Sequence, residues 1–224
     1  MMKQKIFQIG FNKCGTVSLW VLFQHHAKPL IPSIHWDDGK LALSIEKNFK
    51  ANKPLLSDYE HITFFSDMEA IYYENNYPKI ISAYKYFHIL DQQYPNSKFI
   101  LNTRDMNKWV LSRVNFKTFL TKMINNELVL GRPDYEYILY YMDYYDTTNI
   151  NDIASLWKNE YLRHINNVRK YFANRPHDLL EYNLDTDSID KIKDFFKDDG
   201  IVFTTDSLPV LNRSCDQKWF KGNA

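Results

Sequence analysis

The chain has 224 residues, 45% of them apolar and 25% charged, with a formal net charge of +1. That is enough chain to bury a substantial core, and so small a net charge gives no overall field to recruit nucleic acid; any anion site must be a local concentration of donors. No stretch approaches the roughly 20 consecutive apolar residues that a bilayer crossing needs.

The opening MMKQKIFQIG has no secretory apolar core, because Gln8 and Gly10 interrupt it and a strand pattern follows. A cytoplasmic location is therefore expected. Cys14 and Cys215 suggest neither a metal-ligand cluster nor a disulfide framework, and no metal is expected. KIFQIG (5–10) reads as a buried strand and Thr16 to about Ala27 as a helix. KPLIPSIHW (28–36) reads as a short strand whose two prolines mark a frayed start or a sheet edge. Asp37 is placed to cap a helix through GKLALSIEKNFKAN, in which Leu41, Ile45 and Phe49 share one face. HITFFSD (61–67) is a third strand, a helix is predicted around Tyr77 to Tyr94, and KFILNTRD (98–105) is the clearest strand. Helices are predicted from Met106 to about Phe172, broken near Gly131-Arg132-Pro133. HDLLEYNL (177–184) reads as a late strand, and DSIDKIKDFFKDDG as a capped helix ending at Gly200.

Strands separated by helices predict an α/β fold, a mostly parallel central sheet flanked by helices, with residues 1–224 forming a single domain. In such sheets ligands bind beyond the carboxyl ends of the strands, where Lys13, His35, Asp67 and Arg104 all fall.

The first strand runs into GFNKCGTVS (10–18). A glycine-containing strand-to-helix turn aims backbone N–H groups at one point, and the helix N-terminus adds partial positive charge. Gly15 lets the backbone approach an anion, Thr16 and Ser18 carry hydroxyls, and Lys13 supplies a full charge. An ATP-binding P-loop puts its lysine after the second glycine; here Lys13 precedes Gly15. In KFILNTRDMNKWVLSR, Arg104 ends a strand and Ser112 follows two helical turns later, so the two can grip one phosphate.

Taken together, these segments resemble the PAPS-dependent sulfotransferases. NKCGTVSL matches the family's Lys-Ser-Gly-Thr-Thr loop at Lys13, Gly15 and Thr16, and Arg104 with Ser112 matches its strand-end Arg and Ser. Cys14 stands in place of the serine and Val17 in place of the second threonine. The resemblance implies a P-loop-like nucleotide-binding architecture in which Asn12, Lys13, Cys14, Gly15, Thr16, Val17 and Ser18 surround the 5′-phosphosulfate. It further implies that Lys13 stabilises the leaving oxygen and that Arg104 and Ser112 hold the 3′-phosphate. YNLDTDSIDKIKDFF resembles the strand and helix before a nucleotide-covering loop, so SLPVLNRSCDQKWFKG (207–222) stands where that loop stands, with Arg213 its candidate nucleotide contact.

An acceptor hydroxyl also needs a base. Asp67 stands where cytosolic family members carry a histidine, and His35 close to where heparan-type members place a glutamate. Asp67 can instead cap a helix starting DMEAIYY, and His35 can be a hydrogen-bonded core residue. The expected reaction moves a sulfuryl group from PAPS to a small-molecule, saccharide or lipid acceptor and leaves PAP; phenolic and peptide-tyrosine acceptors stay open. An atypical P-loop kinase and a non-catalytic nucleotide-binding module are the alternatives.

Overall fold

The computed structural model describes residues 4–209, apart from 119, 125–126 and 131–134. In chain order the first half holds β1 (Ile6–Gln8), α1 (Thr16–His25), β2 (Ala27–Lys28), β3 (Ser33–His35), α2 (Lys40–Lys50), β4 (Phe64–Ser66), β5 (Glu69–Glu74), β6 (Tyr77–Ser82), α3 (Phe87–Gln93) and β7 (Lys98–Thr103). The second half holds α4 (Met106–Val114), β8 (Lys117–Thr118), β9 (Thr121–Ile124), β10 (Glu127–Leu130), β11 (Tyr135–Glu136), α5 (Tyr137–Tyr145), α6 (Ile150–Tyr171), β12 (Leu179–Asn183), α7 (Ile189–Phe196) and β13 (Val202–Phe203).

The central sheet has five parallel strands in the order β12-β7-β1-β4-β3. Period-two alternation sends successive side chains to opposite faces, and both faces are apolar. Phe7, Phe65, Phe99 and Leu101 join one core cluster with residues of α2, α3, α4 and α6. Their neighbours Ile6, Phe64 and Ile100 join a second cluster with α1 and α7. Phe7 pairs in register with Phe65 and Phe99, and its ring lies 5.4 and 5.3 Å from theirs. On the other face Phe23 of α1 stacks on Phe64 at 4.2 Å. Two helical layers on an all-parallel sheet are the expected α/β architecture, and β3 is one of its two edge strands, β12 the other.

Several predicted elements are corrected. Residues 77–82 are a strand, not the start of a helix; helix appears only at α3, after a 3-10 turn over 83–86. β5 and β6 form an antiparallel hairpin about Asn75 and Asn76, both at positive φ (51° and 64°). Asparagine tolerates that conformation, and two such residues make the tight turn whose twist suits paired strands. The segment 69–74 is therefore not a helix that Asp67 could cap. Nor is 106–172 all helical: β8 to β11 intervene between α4 and α5, and the break expected near 131–133 lies outside the described residues. β9 pairs parallel to β5 and antiparallel to β10, giving a second sheet ordered β10-β9-β5-β6. Asp37 caps no helix; it accepts from Tyr59 Oη at 3.0 Å, while α2 starts after Gly39, which takes φ 83°. The segment 28–36 divides between β2, paired with β13, and the edge strand β3.

Candidate functional site

A cavity of about 920 Å³ opens at the carboxyl ends of β1, β7, β4 and β3. Its floor is the loop 9–15 that follows β1, and side chains hold the carbonyls of that loop one by one. His164 Nε2 meets Ile9 O at 2.7 Å and Gln8 Nε2 donates to Gly10 O at 3.1 Å. Asn102 Nδ2 donates to Phe11 O at 3.2 Å and to Cys14 O at 3.0 Å. Trp109 Nε1 donates to Asn12 O, and Arg104 Nη1 to Lys13 O, both at 3.0 Å. A trans peptide points its N–H opposite its C=O, so carbonyls drawn into the scaffold turn the amides the other way. The N–H groups of Cys14 through Ser18 find no acceptor among the described residues. Gly10 has no room for a side chain, because a Cβ there would lie 2.2 Å from Asn102 O. Gly15 takes φ 84°, where glycine is unstrained, and hands the chain to α1.

Asn12, Lys13, Gly15, Thr16, Val17 and Ser18 line this cavity, as do Arg104 and Ser112, so both predicted segments meet in one space. Cys14 is the exception. Its thiol is fully buried in the core, burial pushes its pKa up to about 12, and it offers the site only its backbone. The cysteine thus removes no cavity-facing hydroxyl. Burial lowers the Lys13 pKa to about 8; Asp67 opposes the shift, while Arg104 and Arg113 add to it. Its ammonium lies 3.7 Å from the Phe116 ring centroid. Arg104 is fixed by Tyr161, whose hydroxyl accepts from Arg104 N at 3.0 Å and donates to Arg104 O at 2.9 Å. Asp185 stands 3.6 Å from Arg104 Nη2, and Arg104 Nε is buried without a partner among the described residues. Ser207, Leu208 and Pro209 border the same cavity, while Arg213 lies outside the described residues.

The two candidate bases prove to be neighbours. His35 Nε2 and Asp67 Oδ2 are 3.7 Å apart on the wall that faces the loop. Gln8 uses its amide nitrogen on Gly10 O and on Asn102 Oδ1, so its Oε1 accepts from Asp67 N at 3.1 Å and Ser66 Oγ at 3.0 Å. The single Ser66 hydroxyl proton is thus committed to Gln8 Oε1 or to Thr16 O. The 3.2 Å contact from His35 Nδ1 to Ser66 Oγ must then carry an Nδ1 proton, leaving an Nε2 lone pair beside Asp67. Trp20 stacks on the imidazole at 5.7 Å. Burial depresses His35 to about 4, whereas burial raises Asp67 to about 7 against the pull of Lys13 and Arg113. A carboxyl near 7 is poised to exchange protons at neutral pH; an imidazole near 4 stays neutral there. Lys13 (φ 62°), Trp36 (φ 57°) and Asp67 (φ 53°) all line the cavity in the left-handed region, and such strained backbone clusters at functional sites.

The sequence left part of this arrangement unread. Gln8 and Asn102 lie inside apolar strands, and a buried amide must find partners, which was the available signal. Arg113 gave no signal beyond its position next to Ser112. It is almost wholly buried, with its guanidinium 4.4 Å from the Trp157 ring centroid and 4.9 Å from that of Trp109. It donates to the hydroxyls of Tyr137, at 2.6 Å, and Tyr141, and stands 3.9 Å from Glu69. Glu69 in turn accepts from Asn12 Nδ2 at 2.7 Å and Tyr137 Oη at 2.8 Å, which ties the loop to the second sheet. Among the described residues no group of His, Cys, Asp or Glu could hold a metal ion, and no helix is long and apolar enough to cross a membrane.

A family model described as a sulfotransferase domain matches residues 5–197. No curated protein matches the chain.

Proposed function

The chain belongs to the sulfotransferase domain family, and from that premise we propose that it transfers a sulfuryl group from PAPS to an acceptor hydroxyl or amine, leaving PAP. One observation carries the reading: a loop with its carbonyls tied back and its amides free, beside Lys13 and within the same cavity as Arg104 and Ser112. The residues present fit an adenosine nucleotide with an anionic group at each end, since Arg104 keeps a buried Nε without a partner among the described residues and the N–H groups of the loop find no acceptor there. PAPS, when bound, supplies a sulfuryl group on a phosphate that can leave.

Lys13 and the amides of Gly15 to Ser18 place positive charge where the leaving oxygen gains negative charge. Because Asn102, Trp109 and Arg104 already hold the loop, these donors need no reorganisation. Arg104 and Ser112 grip the 3′-phosphate, and Arg104 exchanges its contact with Asp185 for the stronger one. Asp67 takes the acceptor proton, its pKa of about 7 suiting that exchange, while His35 presents its Nε2 lone pair alongside.

The test compares wild type and Lys13→Ala. PAP at 100 times its Kd stabilises the native state by about 2.7 kcal/mol, a shift of several degrees, and the variant loses turnover on the order of 100- to 1,000-fold. Stabilisation by ATP with magnesium but not by PAP would move the assignment to phosphoryl transfer.

A further inference from the structure

The described lining cations of the cavity are Lys13 and Arg104, both on the nucleotide side, where Asp185, Asp187 and Asp206 line it too and Asp185 stands against Arg104. On the side formed by β3, β4 and the second sheet, the charged groups are Asp67 and Glu69, with His35 neutral. Glu69 is matched by Arg113 behind it. Asp67 makes no ion pair with a lysine or arginine within 4 Å among the described residues, feels Lys13 and Arg113 only at longer range, and has the His35 imidazole at 3.7 Å. The rest of that side is largely apolar: Ile71 from β5, then Phe116 and Leu120 from the segment after α4, with Trp36 and the hydroxyl-bearing Thr118 among them. Tyr137 lines it too, but its hydroxyl is already used by Glu69 and Arg113.

We infer that the acceptor is an uncharged, predominantly apolar hydroxyl compound, a phenol or alcohol without carboxylate, sulfate or phosphate. Its body lies against Ile71, Phe116 and Leu120, and its hydroxyl meets Asp67. The inference rests on the sulfotransferase reading. An anionic acceptor would be desolvated next to Asp67 with both described cations of the cavity already engaged by the nucleotide, and like charges brought together discriminate strongly. A polyhydroxyl acceptor would bring hydroxyls to a wall with few groups to receive them. Transfer to such a compound joins its oxygen to sulfur as the sulfur–oxygen bond to the donor phosphate breaks. That bond's electron pair leaves on the phosphate oxygen, and the hydroxyl proton passes to Asp67.

The experiment pairs two acceptors of one shape, 4-ethylphenol and 4-hydroxyphenylacetate, with PAPS and the full chain; a desulfated heparan-type glycan is the third arm. PAP titrations of the melting temperature run in parallel. The expected result is a kcat/KM for 4-ethylphenol at least about 100-fold above that for the anionic phenol, with no transfer to the glycan. Ile71→Asp should raise KM for 4-ethylphenol at least about tenfold and leave the PAP-induced melting shift unchanged. Should that variant not fold, the wild-type acceptor pair decides alone. PAP binding together with equal use of both phenols, transfer only to the glycan, or no transfer to 4-ethylphenol overturns the acceptor inference. A wild-type chain whose melting temperature PAP does not move loses the sulfotransferase reading itself, and the acceptor inference with it.

Discussion

Replacing Asp67 with Asn removes the ionisation while keeping the shape of the protonated carboxyl. Burial raises this group from an ordinary 3.8 to about 7, so between those values the folded chain binds a proton that the unfolded chain has lost. Its contribution to stability is complete below about pH 4 and is lost as pH rises toward 7. At 1.36 kcal/mol per pKa unit the full loss is about 4 kcal/mol, an upper bound because the side chain keeps 17% exposure to the cavity. Asp67→Asn should therefore match wild type near pH 4 and exceed it at pH 8 by up to about 4 kcal/mol, roughly 10 °C of melting temperature. His35, depressed to about 4, has the opposite slope, stability rising with pH between about 4 and 6.5, and it largely cancels when the two proteins are compared. The assay is calorimetric unfolding of both across that range, with kcat/KM in parallel. Turnover should fall about 100-fold or more, and the limb of the rate profile near pH 7 should vanish. Parallel stability curves together with an unchanged limb would refute both the raised pKa and the role as base.

Two further substitutions probe the scaffold behind the site. Asn102→Ala strands Gly10 N and the carbonyls of Phe11 and Cys14, at ~1–3 kcal/mol for each buried group, so differential scanning calorimetry should show a loss on the order of 4 kcal/mol and no PAP-induced shift. Arg113→Met leaves Glu69 buried without its counter-charge and should cost about 3–5 kcal/mol by urea denaturation, most of it recovered in the double variant Arg113→Met/Glu69→Gln.

What could be read without coordinates was local. The parallel sheet follows from apolar runs alternating with helices. The loop around Lys13 and Gly15 and the pair Arg104 and Ser112 follow from spacings within single strand-to-helix segments, because a turn of fixed geometry fixes where its neighbours point. The hairpin at Asn75 and Asn76 had a legible turn signal, but Tyr- and Ile-rich runs fit helix and strand alike until a partner strand is present. Long-range contact alone decided the rest. His35 and Asp67 are 32 positions apart in sequence, yet parallel pairing of β3 with β4 sets them on one wall; the loop amides point outward because donors near positions 8, 102, 104, 109 and 164 take its carbonyls. Burial, which lowers the pKa of Lys13 and His35 and raises that of Asp67, belongs to the assembled fold, since no stretch of chain can exclude water from itself.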